Sequence, residues 1–509
     1  MKKITKVLAL AIFSLTACVE ENVQITALYL DTMELYLDVG TSRRLVATAR
    51  PADAPVTFKW FSSDEKVATV TQDGLVTLVS DGTTTVTVMW GSYRRSCVVT
   101  TAGLKLTRNK VYISPGGTTQ LKAEMKPEDG DALYTWESSD PDIVTVDENG
   151  LATYKQSGSA EISVSYGKYT SICKVYCLEN SPLDFRSVLG QGLSESLLYS
   201  KNVSIASTGR IMQGFDIVDG VIYYSQVSND GKSVLISRAE GPGKNTTATM
   251  TLNYFGHGTQ IAVESTSDGD YIWAGSNGTE LDEEYGDNLS FSRVKFEGGK
   301  THDSCAGDTY VLTGTGEYDL QVSLDFDNRK LLLGTRKGGQ RHFAIYNLDE
   351  VLNLPVKDDV PIYTQVEGEE KETKLKARDL SDCEPISRFS VSAGADKDND
   401  VYSYSHQGHA VDGDYIYFYE GNVIDDGKGA YYSKAYLTTF NYSGDIVVDR
   451  TEVKAIADNA KLKTLGLTTV GYAEAESLKI KDNTLYLGIA CHDGGNAKRY
   501  ANILKYKLQ

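Results

Sequence analysis

Short runs in which apolar and polar positions alternate fill most of this chain. Thr84 to Val88 alternates polar and apolar, as a half-buried strand does. Leu35-Tyr36-Leu37-Asp38-Val39-Gly40 and Val111-Tyr112-Ile113 are strand-like runs that end at Gly or Pro-Gly turns. Val67-Ala68-Thr69-Val70 runs into the turn Gln72-Asp73-Gly74, and the next strand begins at Leu75. Helical patterns are few, and a short helix near 347–352 reads as a decoration. The fold class predicted is all-β.

The early part of the pattern repeats with a period of 76 residues and no gap. Gly40 matches Gly116, Leu45 matches Leu121, and Pro51 matches Pro127. Trp60-Phe61-Ser62-Ser63-Asp64 matches Trp136-Glu137-Ser138-Ser139-Asp140. Asp73-Gly74-Leu75 matches Asn149-Gly150-Leu151, Tyr93 matches Tyr169, and Cys97 matches Cys173. Each copy reads as a β-sandwich with its tryptophan in the core. The W-x-S-S-D pattern, the later V-x-V-x-x-x-G-L-V/A-T run and the Gly-Thr or Gly-Ser turn resemble the bacterial Ig-like group 2 family. The resemblance divides this part into domains at 25–102 and 103–178. It implies a stalk or spacer, and sometimes an adhesive module, on a surface protein.

Leu178-Glu179-Asn180-Ser181-Pro182 reads as a linker to a region spanning 183–509. That region carries a weaker repeat. Asp219-Gly220, Asp268-Gly269, Asp327-Asn328, Asp412-Gly413 and Asp482-Asn483 each feed an apolar strand, the short-range hairpin signal. Five units of this size predict a five-bladed β-propeller. A β-sandwich, or a six-bladed ring with one unit unrecognised, is the alternative. Gln213-Gly214-Phe215-Asp216, then Gly256-His257-Gly258-Thr259-Gln260-Ile261-Ala262-Val263-Glu264, then Gln407-Gly408-His409 and Glu474-Ala475-Glu476-Ser477-Leu478 occur in that order. This series resembles helveticin J-like and teichoic acid biosynthesis protein C-like propellers. Those propellers come mainly from Gram-positive bacteria and their phages, whereas the start of this chain, read below, looks Gram-negative, so the resemblance implies the fold and not the family's substrate.

Read as residues, these polar groups precede predicted innermost strands, so Gln213, His257, His409 and Glu476 are expected to ring one ligand pocket. Amides, imidazoles and a carboxylate in that arrangement suit hydrogen bonding to a sugar. The competing expectation is that they tie neighbouring sheets together by buried hydrogen bonds. Asp216, Glu264 and Glu476 are the acids that a glycosidase reading would use. His406 and His409, three apart in a strand, are expected to point to opposite sides and not to share a metal. Asp396-Lys397-Asp398-Asn399-Asp400 lacks the glycine and the glutamate of a calcium loop and reads as a solvated acidic loop. No cofactor motif is complete, and no catalytic or metal set is assigned.

The chain starts with Lys2, Lys3 and Lys6, an apolar run from Val7 to Leu15, and Thr16-Ala17-Cys18. The run is too short to span a bilayer as a permanent helix. The segment resembles a bacterial lipoprotein signal, which implies cleavage after residue 17, a lipidated Cys18 and a tether over 18–24. Glu20-Glu21 behind the cysteine resembles the surface-export signal of Bacteroidetes-type lipoproteins, which implies an outer-membrane protein facing outward. The lipid is the only membrane contact expected. The formal charge of −18 argues against nucleic acid or an anionic membrane as partner. Thirty-two tyrosines suit strands and also the faces of sugar rings.

Of the seven cysteines, Cys173 and Cys177 would lie roughly 13 Å apart on one strand face, too far to bridge. Cys305 and Cys383 form a pair that spacing neither requires nor excludes. Three functions remain in play: a surface lipoprotein whose propeller binds a glycan or surface polymer, a carbohydrate-active enzyme, and an adhesin acting through its Ig-like modules.

Overall fold

The computed structural model describes residues 25–508 apart from 208, 282–283, 304–307, 367–368, 429–430 and 493–498. The signal segment, Cys18 and the tether lie outside the described residues. The protein is all-β, with three short α-helices among the described residues.

The 76-residue repeat is two sandwiches of one design. In the first, Glu34–Leu37, Tyr93–Thr101, Thr83–Trp90 and Lys59–Ser62 form one sheet, in that order. The strands Ser42–Arg44, Leu75–Leu78 and Ala68–Val70 form the facing sheet. Leu35, Trp60, Val76, Val86, Val88, Cys97 and Val99 fill the space between them. The second sandwich repeats this order from Lys110–Ile113 to Thr135–Ser138. The repeated Asp-Gly and Asn-Gly turns have a physical cause. Gly74 and Gly150 sit at φ +81° and +83°, and each backs onto its domain's tryptophan ring. A Cβ at Gly74 would lie 2.6 Å from the Leu45 carbonyl oxygen and 2.9 Å from Trp60 Cζ2. Gly74→Ala is therefore expected to destabilise the first sandwich by about 1–3 kcal/mol, read by thermal or urea unfolding.

The C-terminal region holds five sheets in chain order, antiparallel apart from one parallel pair in each of the first two. Their first strands are Met212–Val218, Ile261–Thr266, Tyr318–Asp325, His406–Asp412 and Ala473–Lys481. Each first strand lies against the next one in the series, and Ala473–Lys481 lies against Met212–Val218. The fifth sheet is completed by the segment Leu198–Val203, which pairs with the C-terminal strand Arg499–Lys507. The second sheet is widened by a hairpin, Val356–Val366 and Glu369–Asp379. All five predicted turns join the first strand of a sheet to its second, through pairs such as Val218↔Val221 and Asp412↔Tyr415. One expectation is thereby corrected. The strand after each turn is the second of its sheet, so Gln213, His409 and Glu476 lie within the first strands themselves.

The expected linker is also packed. Leu183 N donates to Tyr417 Oη at 2.9 Å, and Tyr415 Oη donates to the Asn180 carbonyl at 2.6 Å. Beside it the second sandwich docks on the third and fourth sheets. Arg108 pairs with Asp445 at 2.9 Å, Tyr112 Oη donates to the Ile386 carbonyl at 3.1 Å, and Asn441 Nδ2 donates to the Tyr112 carbonyl at 2.7 Å. Tyr112 stacks on Tyr176 and meets the edge of Tyr442. The junction leaves a groove of about 780 Å³ bordered by Tyr176, Glu179, Glu384 and Asp414.

Asp412 and Asp414 stand at this turn end of the fourth sheet. Burial, with Asp325 and Asp327 nearby, pushes the Asp412 carboxyl up to about 6. Its folded pKa lies above its unfolded value of 3.8, so its stabilising contribution is complete only below pH 3.8 and is lost as pH rises from there through about 6. Asp412→Asn should remove that slope and raise stability at pH 8 by up to about 2 kcal/mol, measured by denaturation across pH 4–8.

Candidate functional site

The five first strands begin at one end of the region and reach the Asp-containing turns at the other. At their beginnings four of the five carry a register slip: between Met212 and Gly214, Tyr318 and Gln321, His406 and Gly408, and Glu476 and Leu478. A bulge breaks the two-residue alternation and re-aims a side chain, and such bulges cluster beside binding sites. Two bulge residues, Asp319 and Ser477, have φ of 57°. The sequence pairs Gln213-Gly214 and Gln407-Gly408 and the triplet Glu476-Ser477-Leu478 are these bulges. We call this end the mouth.

The sequence-selected residues divide between the mouth and the spaces between sheets. Gln213 is buried in the first bulge. Glu476 is buried beside the bulge of the fifth sheet, where burial and the neighbouring Glu474 push its carboxyl well above the usual range. His409 is fully buried, meets the edge of Phe343 at 5.2 Å and stands against Gly334. Its backbone carbonyl accepts from Gln260 Nε2 at 2.9 Å, a bond from the second sheet to the fourth. His257 is exposed, whereas the other three are buried. In the Gly-His-Gly segment the first glycine has a packing reason: a Cβ at Gly256 would lie 2.1 Å from Asn288 Oδ1.

Of the acids, Asp216 is enclosed. Its carboxylate accepts from Ile217 N and Val263 N, each at 2.7 Å, and lies 3.2 Å from Lys481 and 3.9 Å from Lys479. Burial opposes its ionisation, yet the two lysines and the amides hold its carboxyl below the usual range. Glu264 pairs with Arg293 at 2.6 Å and accepts from Trp273 Nε1 at 3.1 Å. Both acids tie sheets and strands together.

His406 and His409 do not point to opposite sides as regular alternation predicts. The bulge at Gln407 brings His406 and His409 to one side, with His406 Nε2 3.2 Å from His409 Nδ1. Burial comes first, then Arg341 beside both rings, in holding them well below the usual histidine range. No cluster of three or more metal-ligating side chains occurs among the described residues. In the 396–400 loop the acids accept from backbone amides, as Asp396 does from Asp398 N and Asp400 from Ala395 N. Cys383 is a free buried thiol, and Cys305 lies outside the described residues.

Four residues at the mouth went unselected. Arg336 and Arg341 face each other across the hairpin of the third sheet. Arg341 Nη2 lies 3.1 Å from Asp319, and its Nη1 is 3.4 Å from Gln321 Oε1. Arg336 lies 3.3 Å from Asp287 of the second sheet and 5.5 Å from the Tyr318 ring centre. Burial, with Asp319 nearby, pushes the Asp287 carboxyl up. These groups and His406 form a polar cluster shared by three sheets. One signal was present in the sequence. Two arginines flanking a Gly338-Gly339 turn must face each other in a hairpin, and like charges so placed call for acids from elsewhere.

Residues 24–101 and 98–173 match the bacterial Ig-like domain (group 2) family, so the N-terminal part of this chain is two bacterial Ig-like domains. Among curated proteins, ice-binding protein 1 of Shewanella frigidimarina is 24% identical over 192 residues, 34% of this chain and 21% of that protein. Lacto-N-biosidase of Bifidobacterium bifidum is 36% identical over 76 residues, 14% of this chain and 7% of that protein. The chain thus spans about a fifth or less of the length of these relatives. Among solved structures, domains 5–6 of the S-layer protein SbsC align with 31% of this chain and 99% of theirs, at 18% identity and a TM-score of 0.15. Domains 4–9 of the same protein align with 92% of this chain and 88% of theirs, at 11% identity and a TM-score of 0.16.

Proposed function

We propose that this is a surface-displayed binding protein. A lipid on Cys18 anchors it to the outer membrane, two Ig-like domains raise it, and a five-bladed β-propeller binds a glycan or surface polymer at its mouth. The propeller reading is supported by the cycle of contacts among the five first strands and by the pairing of Leu198–Val203 with Arg499–Lys507. That pairing would join the two ends of the ring.

The observation that carries the binding reading is the polar cluster at the mouth, where Asp287 of the second sheet meets Asp319, Arg336 and Arg341 of the third, with His406 of the fourth beside them. Convergent polar groups from separate elements fix the orientation of a hydroxyl-rich ligand. The direction of display agrees. The second Ig-like domain docks at the turn end of the fourth sheet, so the mouth lies at the end away from that domain. The glycosidase reading is weaker, because Asp216 and Glu264 are already engaged by cations.

The test is a glycan array probed with residues 25–509, followed by mass measurement of the bound sugars. The longer span is needed because Tyr112 and Arg108 of the second Ig-like domain pack on the C-terminal sheets. Binding with the sugars intact supports the proposal. Shortened sugars would make the protein an enzyme, and binding retained by residues 25–178 alone would move the activity to the Ig-like domains.

A further inference from the structure

We infer that the mouth selects acidic glycans, with a carboxylate or sulfate of the ligand seated on Arg336 beside Arg341. This rests on the binding function proposed above and names its ligand class.

Arg336 is the accessible cation of the cluster. Its side chain is 43% exposed, and its contact with Asp287 is a single 3.3 Å approach through Nη1. The Tyr318 ring beside it limits where the guanidinium can point. Arg341 lies opposite and is buried, its side chain only 5% exposed. Its Nε has no hydrogen-bond partner among the described residues, an unusual state for a buried guanidinium. Two guanidiniums therefore stand side by side with donor capacity that the acids among the described residues do not fill.

The acids present are weak competitors for an incoming anion. Asp319 is committed to Arg341 and also accepts from Gln321 Nε2 at 3.0 Å. Asp287 is half-buried beside Asp319, and its carboxyl is pushed up, so it binds a proton more readily than an ordinary aspartate. A ligand carboxylate or sulfate can take its place on Arg336, where a bidentate pair of charge-assisted hydrogen bonds becomes available. His406 is held neutral by burial together with Arg341 and Arg336. The formal charge of −18 disfavours an anion at long range, but charges beyond about 8 Å are largely screened at physiological salt, so the local guanidiniums decide the contact. An uncharged sugar would leave Arg336 as it is and gain nothing from it.

The experiment compares a galacturonate tetramer with a glucose tetramer by calorimetry on residues 25–509. The galacturonate tetramer should bind at least tenfold more tightly, and its affinity should fall as salt rises from 50 to 500 mM. Arg336→Gln should lose at least tenfold for the galacturonate tetramer while its melting temperature stays within a few degrees. Arg336→Lys should recover only part of that affinity. Equal binding of the two tetramers, or no effect of Arg336→Gln, would overturn this inference and leave the binding function standing. If no glycan on the array binds, the binding function falls and this inference falls with it.

Discussion

Glu420→Gln is expected to destabilise the C-terminal region by about 3–5 kcal/mol, among the largest effects of any single substitution in this protein. Glu420 is fully buried and pairs with Arg450 at 2.6 Å, the arginine side chain being 6% exposed. The other Glu420 oxygen accepts from Tyr404 N at 2.9 Å. Arg450 lies over the Tyr436 ring, 3.4 Å from its centre, and donates to Ser403 Oγ and to the Asp398 carbonyl, each at 3.1 Å. The pair thus holds the loop before the fourth first strand against its own sheet. The amide keeps the shape and removes the charge, which strands a buried guanidinium. Urea denaturation of the parent and variant measures the loss. A variant within 1 kcal/mol of the parent would mean that Arg450 is hydrated and the pair is not closed. Removing both partners, as Glu420→Met with Arg450→Met, should cost less than the single change, because no charge is left unpaired.

Tyr112→Ala should cost about 3–5 kcal/mol and loosen the second Ig-like domain from the C-terminal sheets. The repeat supplies its own control. Tyr112 is 7% exposed and belongs to the core shared with Tyr415, Tyr417 and Tyr442. Its counterpart one repeat earlier, Tyr36, is only partly buried and donates to Glu34 Oε2 at 3.1 Å. Tyr36→Ala should therefore stay within about 0.5 kcal/mol. Limited proteolysis gives a second reading, since cleavage near Leu178–Leu183 should quicken in the Tyr112 variant alone. Equal effects at both positions would contradict a docked junction.

The contrast between these tyrosines shows where sequence reading ends. Local chemistry was legible. The Asp-Gly and Asp-Asn turns marked five hairpins because a two-residue turn needs residues that tolerate positive φ, and Asp219, Gly220, Asp482 and Asn483 all adopt it. The helix Leu348–Leu352 was legible for the same kind of reason, as the Asn347 side chain accepts from the amides of Asp349 and Glu350. The repeat was legible because Gly74 and Gly150 leave room for a tryptophan ring. What depends on distant partners was not. Tyr36 and Tyr112 have the same local pattern, and only the presence of Asn441, Ser443 and Ile386 makes one a core residue. His406 and His409 were placed on opposite sides because alternation assumes a regular strand, and a bulge at Gln407 breaks it. The Gln-Gly pairs stood out in the sequence, yet their meaning as bulges at one mouth required the order of the sheets. Asp287 and Arg336 come from different sheets, 49 residues apart, and no local pattern joins them.

Hydrogen exchange with and without a bound glycan tests the central claim most directly. The account predicts that ligand slows exchange at Tyr318–Gln321, Arg336–Arg341 and His406–Gly408, at the mouth. It predicts no change at Asp412–Tyr415 or in the Ig-like domains. Protection at the turn end, or along the sandwiches, with the mouth unchanged would contradict it.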